Sequence, residues 1–154
     1  MRFISFTSGS CGNCCYLGTE SSGILIDAGA SMRRVKRVML DNGLPFAGVN
    51  AVLVTHEHLD HIRFLGTFCK CMKPCVCAPA RLHGVLAAHT FTKDHIASCR
   101  RVLDDGWNDV GGFSVKWFAV PHDAAQTVGY AIKSGDRLFV LMTDLEHVTP
   151  EAME

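Results

Sequence analysis

Four candidate metal ligands, His56, His58, Asp60 and His61, fall within the six positions His56-Glu57-His58-Leu59-Asp60-His61, directly after the run Ala51-Val52-Leu53-Val54-Thr55. No other feature constrains the chain as strongly. The unbroken Val52-Leu53-Val54 run predicts a strand buried on both faces, so the cluster stands at its carboxyl end. A regular helix does not aim His56, His58, Asp60 and His61 at one point, whereas a tight loop does. His122 follows the predicted strand Trp117–Val120, and Asp144 follows the predicted strand Leu138–Met142. Three strand ends would then each deliver imidazole or carboxylate to one sheet edge, where sites in α/β folds lie. The competing account is a polar surface loop. The protease pattern His-Glu-x-x-His is excluded, because Asp60 occupies its last position.

The surrounding pattern is mixed α/β. Strands are predicted over 1–7, 14–18, 24–27 and 49–55, a short strand around Val76, and strands over 113–120, 127–133 and 138–142. The last two form a hairpin about Ser134-Gly135-Asp136. Ser31 caps a helix in which Met32, Val35 and Met39 recur at helical spacing, and Asn42-Gly43 ends it. Further helices are predicted over about 62–72 and 79–89. No repeat or linker divides the 154 residues, so the chain reads as one domain over 1–154.

Hydrophobic residues make up 48% of the chain, enough for a core, and formal net charge is zero. That balance argues against a protein that coats nucleic acid through bulk charge. The first residues read as a strand, and no run is long enough to span a membrane. Eight cysteines without a leader point to reduced thiols in the cytoplasm. A homo-oligomer is compatible with the sequence.

The ligand types suit zinc and also tolerate manganese or iron. His56, His58 and His122 would hold one divalent ion, and Asp60, His61 and Asp144 the other. Two dications carry four positive charges, from which two aspartates and a bridging hydroxide remove three. The remaining charge suits an anionic ester, and water between two such ions is acidified to near neutrality.

This spacing resembles the His-x-His-x-Asp-His signature of the metallo-β-lactamase superfamily. Leu25-Ile26-Asp27-Ala28-Gly29, Val120-Pro121-His122-Asp123-Ala124-Ala125 and Thr143-Asp144-Leu145 look like its other motifs. Ser8-Gly9-Ser10-x-Gly12-Asn13 and Val128-Gly129-Tyr130 narrow the resemblance to the WalJ/YycJ-like branch. The resemblance implies an αββα sandwich, here its N-terminal half plus the first strands of the second. It also implies a metal-dependent hydrolase with 5′-to-3′ DNA exonuclease activity and nucleic acid as substrate. Asp27 would brace the histidine loop without binding metal, Asp60 could also orient the hydroxide, and the turn of Ser8, Ser10 and Asn13 would offer backbone N–H groups to a substrate phosphate. A thioester or other ester hydrolase of the same superfamily is the alternative. Departures accompany it: Phe64 and Glu146 stand where relatives often carry glycine. The chain closes ten residues after Asp144, and relatives continue and supply a last metal-binding histidine, a role for which His147 is too near Asp144. The expectation is a C-terminally truncated domain that would expose the inner face of a sheet, and a non-catalytic metal-binding domain is the third reading.

Other residues carry blander expectations. Cys69, Cys71, Cys75 and Cys77 lack zinc-ribbon spacing and read as packing residues. Cys14 and Cys15 point to opposite faces of a strand, with core packing expected for one of them, and Cys11 is a loop thiol. Arg33, Arg34, Lys36 and Arg37 read as a solvated helix face. His83, His89 and His95 read as surface or helix-capping residues, and Trp107 and Trp117 as core or edge anchors. Glu57 reads as a support or an exposed group, not a ligand.

Overall fold

Apolar residues at every position of a strand require cover on both faces, and the two central strands of this chain show the consequence. The computed structural model of the protein describes residues 1–144. Strands β1 (Arg2–Thr7), β2 (Cys14–Gly18), β3 (Gly23–Ile26), β4 (Val49–Leu53), β5 (Cys75–Ala78) and β6 (Arg100–Val102) form a six-stranded sheet in that order. The first three pair antiparallel and β3 to β6 parallel. Strands β7 (Asn108–Val110), β8 (Phe113–Ala119), β9 (Val128–Ser134) and β10 (Arg137–Leu141) form an antiparallel sheet in the order β10-β9-β8-β7.

Strand β2 is buried along its whole length because its two faces enter two different cores. Cys14 and Tyr16 join the layer beneath α1 (Met32–Asp41), α3 (Leu65–Met72) and α4 (Ala80–Ala88), together with Val35, Met39, Phe68 and Leu82. Cys15 and Leu17 face the second sheet, among Leu53, Phe113, Val115, Tyr130 and Ile132. Both cysteines therefore pack in cores, one more than expected from the sequence. Each fully buried Leu, Ile or Val contributes about 1.5–3 kcal/mol of transfer free energy. The layers are helices, first sheet, second sheet, as in the expected sandwich.

Three local expectations need correction. The helix predicted over about 62–72 begins only at Leu65 as α3, and a separate single turn, α2 (Leu59–Ile62), precedes it. Phe64 interrupts them because its N–H turns away to Ala28 O at 2.9 Å. Lys73, at φ +52°, ends α3 before Pro74. Strands β6 and β7 were not foreseen; each has three residues and no usable period. The inner faces of the two sheets cover each other, so among the described residues the expected exposed inner face is not found. The exposed apolar residues of β10 are Leu138 and Val140 on the outer face, which no helix covers among the described residues. His147 and Glu146 lie outside the described residues.

Strand polarity sets up the site. β3 and β4 run parallel, so Asp27 and His56 leave the first sheet at the same edge. β8 and β10 both pair antiparallel with β9 and therefore run the same way. Each of His56, His122 and Asp144 comes three residues after its strand ends, at Leu53, Ala119 and Leu141.

Candidate metal centre

The chain leaves β4 through Val54 and Thr55, passes His56, and turns into α2 with extended His58 at its N-cap. Asp60 and His61 thus sit on one helical turn rather than on the loop expected. Ala28 fixes that turn from both sides: its N–H donates to His61 O at 2.7 Å and its C=O accepts from Phe64. The result is four converging imidazoles. Ring centroids lie 4.1 Å apart for His56 and His61, 4.7 Å for His56 and His58, and 4.9 Å from His122 to both His56 and His58.

Two groups of ligand atoms lie within 4.8 Å of one another, His56/His58/His122 and His56/His61/Asp144. Five of the six residues singled out in the sequence fall in these groups, with His56 shared between them. Asp60 stands at the margin of the second group, its Oδ2 3.5 Å from His61 Nε2. His61 Nε2 lies 2.8 Å from Asp144 Oδ2 yet has no aligned hydrogen bond. His58 Nδ1 and His122 Nε2 are 3.2 Å apart. A tetrahedral zinc with bonds of about 2.0–2.1 Å needs ligand nitrogens about 3.3–3.4 Å apart.

Hydrogen bonds orient the rings. The Thr55 hydroxyl donates to Asp27 Oδ2 at 2.7 Å, so its oxygen is left to accept from His56 Nδ1 at 3.0 Å. That places the proton on Nδ1 and leaves the lone pair on Nε2, which is buried and without a partner. His61 Nδ1 lies 2.7 Å from the same Asp27 oxygen, and Asp27 Oδ1 accepts from Thr55 N–H at 2.8 Å. Asp27 adopts φ +61° and Asp144 φ +52°, left-handed conformations that ordinary residues rarely hold.

Burial, reinforced by the neighbouring His61, His58 and His122, pushes His56 down to about 2 and keeps its ring neutral. Burial also disfavours the charged form of His61. The hydrogen bond and charge of Asp27, with the charges of Asp144 and Asp60, outweigh it and raise its pKa. A buried neutral imidazole with an orphaned nitrogen, beside carboxylates, is a donor set suited to a divalent cation.

The Ser8–Asn13 turn reaches this centre through Asn13. Its Nδ2 donates to Asp60 Oδ2 at 2.8 Å and to Gly9 O at 3.0 Å, and its Oδ1 accepts from Gly9 N–H at 3.0 Å. These side-chain groups are engaged within the protein. Ser8 lines a cleft of about 150 Å³ with Asn13, Asp27 and Thr143, and Ser10 is exposed on the turn. Glu57 lies outside both groups, and its Oε1 accepts from Ala125 N–H at 2.7 Å.

Sequence reasoning passed over Thr55 and Tyr130. Thr55 was a β-branched residue ending an apolar run; its position directly before His56 was the signal. Tyr130 is wholly buried and donates to Val54 O at 2.6 Å, holding the second sheet to the β4 exit. Of the other histidines, His83 is buried, against expectation, and donates to Arg101 O at 2.8 Å. Trp117 donates to Asp104 O at 3.2 Å, and Lys133 Nζ lies 4.1 Å from the ring centroid of exposed Trp107. All eight cysteines are free; Cys69 and Cys77 are buried, Cys71 and Cys75 exposed. Among the described residues, no helix is long and apolar enough to cross a membrane.

Comparison with known proteins matches residues 23–154 to the beta-lactamase superfamily domain. The chain is 31% identical over 153 residues to the exodeoxyribonuclease YycJ of Bacillus anthracis, covering 97% of this chain and 56% of that protein. It is 27% identical over 149 residues to the exodeoxyribonuclease WalJ of Streptococcus pneumoniae, covering 96% and 55%. The chain thus spans about half the length of these relatives. Among solved structures, a subclass B3 metallo-β-lactamase from a soil metagenome, MEM-A1, aligns with TM-score 0.68 at 17% identity over 90% of this chain and 57% of its own. A B3 metallo-β-lactamase with an active-site glutamic acid aligns with TM-score 0.69 at 18% identity, covering 98% and 66%.

Proposed function

The chain belongs to the metallo-β-lactamase superfamily, and from that premise we propose that it forms the metal-binding part of a dinuclear phosphodiesterase, a DNA exonuclease of 5′-to-3′ direction. One observation carries the reading: imidazoles and carboxylates from three strand ends converge around a buried, partnerless His56 Nε2. In this reading His56, His58 and His122 hold one divalent ion, and Asp60, His61 and Asp144 hold the other, with zinc the metal the donors suit best. Bound there, two such ions supply Lewis-acid polarisation of a phosphoryl oxygen and hydroxide at neutral pH.

The residues themselves contribute orientation and charge. Thr55 and Asp27 fix the imidazole tautomers, so that lone pairs face the centre. Asn13 donates to Asp60 Oδ2, the same oxygen that lies 3.5 Å from His61 Nε2, and so holds that carboxylate toward the centre. Exposed Ser8 and Ser10 border the approach and could donate to a phosphate. The exodeoxyribonuclease names of both bacterial relatives favour DNA as substrate, and the free thiols favour a reducing compartment, the cytoplasm.

The test is metal content by elemental analysis, combined with turnover of a bis-aryl phosphodiester, a thioester and end-labelled DNA. Two equivalents of metal with release of nucleotides from the 5′ end are expected. Turnover of the thioester alone would transfer the protein to another ester chemistry. One equivalent with no turnover would make it a metal-binding domain without catalysis.

A further inference from the structure

Three hydrogen bonds stitch the exit of β4 to the second sheet. Tyr130 Oη donates to Val54 O at 2.6 Å, Val128 N–H to Thr55 O at 2.9 Å, and Ala125 N–H to Glu57 Oε1 at 2.7 Å. The first two acceptors are backbone carbonyls beside a packed strand. The third is a side chain, and it reaches the loop 121–126 that carries His122.

That loop is closed at its base, where Val120 N–H donates to Thr127 O at 3.0 Å, and it turns on itself through Ala124 N–H to His122 O at 2.9 Å. Neither bond ties it to the 56–61 segment. Asp123 and Ala125 are exposed, so apolar packing does little to fix its height above the sheet. Glu57 stands between His56 and His58 in the sequence, and its carboxylate reaches Ala125 rather than either metal-binding group. The two imidazoles turn to the centre while the carboxylate turns to the His122 loop. Its second oxygen is buried without a partner.

We infer that Glu57 is a positioning residue whose carboxylate oxygen, by accepting the Ala125 N–H, sets His122 against His56 and His58. The inference rests on the metal-binding reading proposed above. What the loop requires is an acceptor at Oε1, so glutamine should substitute for glutamate and alanine should not.

The experiment compares zinc affinities of the parent chain, Glu57→Ala, Glu57→Gln and His122→Ala by competition with a chromophoric chelator, alongside thermal unfolding of the metal-free proteins. Glu57→Ala is expected to weaken one zinc equivalent roughly ten- to a hundredfold, as loss of a supporting hydrogen bond does. The other equivalent should keep its affinity, and Glu57→Gln should bind like the parent. Equal weakening of both equivalents with a matching drop in metal-free stability would reduce Glu57 to a structural role and overturn the inference. So would parental affinity in Glu57→Ala, or a Glu57→Gln as weak as the alanine variant. If His122→Ala weakens one zinc equivalent while Glu57→Ala weakens neither, the inference alone fails. A parent that takes up no zinc would sink the metal-binding reading with it.

Discussion

Asp27 Oδ2 lies 2.7 Å from His61 Nδ1, and both side chains are almost fully buried. The same carboxylate takes the N–H and the hydroxyl of Thr55, so one residue at the end of β3 fixes the exit of β4 and the α2 turn together. This pair is the hinge on which the histidine cluster depends.

Replacing Asp27 by alanine leaves three buried donors without an acceptor, at Thr55 N, Thr55 Oγ1 and His61 Nδ1. Breaking such a buried pair costs about 3–5 kcal/mol, added to the strain of alanine at φ +61°. Asparagine tolerates that backbone conformation and keeps one acceptor, so Asp27→Asn separates charge from geometry. Urea unfolding should show a large loss for alanine and a smaller one for asparagine, with zinc affinity reduced in both. Equal stability of the alanine variant and the parent would remove Asp27 from the support of the site.

Asn13 gives the second expectation. Its amide donates to Asp60 Oδ2 and its backbone N–H to Asp60 O at 2.7 Å. Asn13→Ala removes the side-chain bonds to Asp60 and Gly9 and keeps the backbone one, and Asn13→Asp sets a carboxylate against a carboxylate. Metal affinity should fall roughly ten- to a hundredfold in the alanine variant and further in the aspartate variant. Isothermal titration with zinc reads the order, and an aspartate variant that binds more tightly than the alanine one would contradict this placement of Asn13.

The residues that meet at this centre were legible because each carries a chemistry unlike its surroundings and follows a strand. Thr55 carried no such contrast, being at home in a β-strand, and its role comes from three partners distant in sequence or in angle. The division between α2 and α3 was equally hidden, since it depends on two hydrogen bonds to Ala28, more than thirty residues upstream. The three-residue strands β6 and β7 are too short for a period, and β6 is exposed along its length. Which face of the second sheet would be open was misread for a related reason: apolar residues lie on both faces of β10, and only the packing tells Phe139 and Leu141 from Leu138 and Val140.

Two glycines make the third expectation, with opposite signs. A Cβ on Gly29 would overlap Asp60 O and the backbone of Asn13. Gly29→Ala should force the Ser8–Asn13 turn away from α2, break the Gly29 N–H bond to Asn13 O at 2.8 Å, and cost about 1–3 kcal/mol by overpacking. Gly84 is exposed in the middle of α4 and a Cβ there meets nothing within 4 Å. Gly84→Ala should instead stabilise by about 0.5–1 kcal/mol. Thermal unfolding of the two variants measures both, and a stabilising Gly29→Ala would refute the close approach of the two loops.

Two histidines give the metal-free protein an optimum in pH. His56 is held at about 2 by burial and by the neighbouring imidazoles, against an ordinary value of 6.5. Below 6.5 the unfolded chain therefore binds a proton that the folded one refuses, and stability falls as pH drops. His61 is raised above 6.5 because Asp27, Asp144 and Asp60 outweigh its burial. Above 6.5 the folded chain keeps a proton that the unfolded one has released, so this contribution is complete below 6.5 and is lost as pH rises through the folded value. Each limb has a slope of at most about 1.4 kcal/mol per pH unit, and the two meet near 6.5. Urea midpoints of metal-free protein across that range should peak there. Saturating zinc should abolish the alkaline decline, because metal binding displaces protons from its ligands and gains strength as pH rises. Asp27→Asn should flatten the same limb without metal. Metal-free stability that climbs steadily from neutral to alkaline pH would show that His61 is not held in its charged form by these three carboxylates.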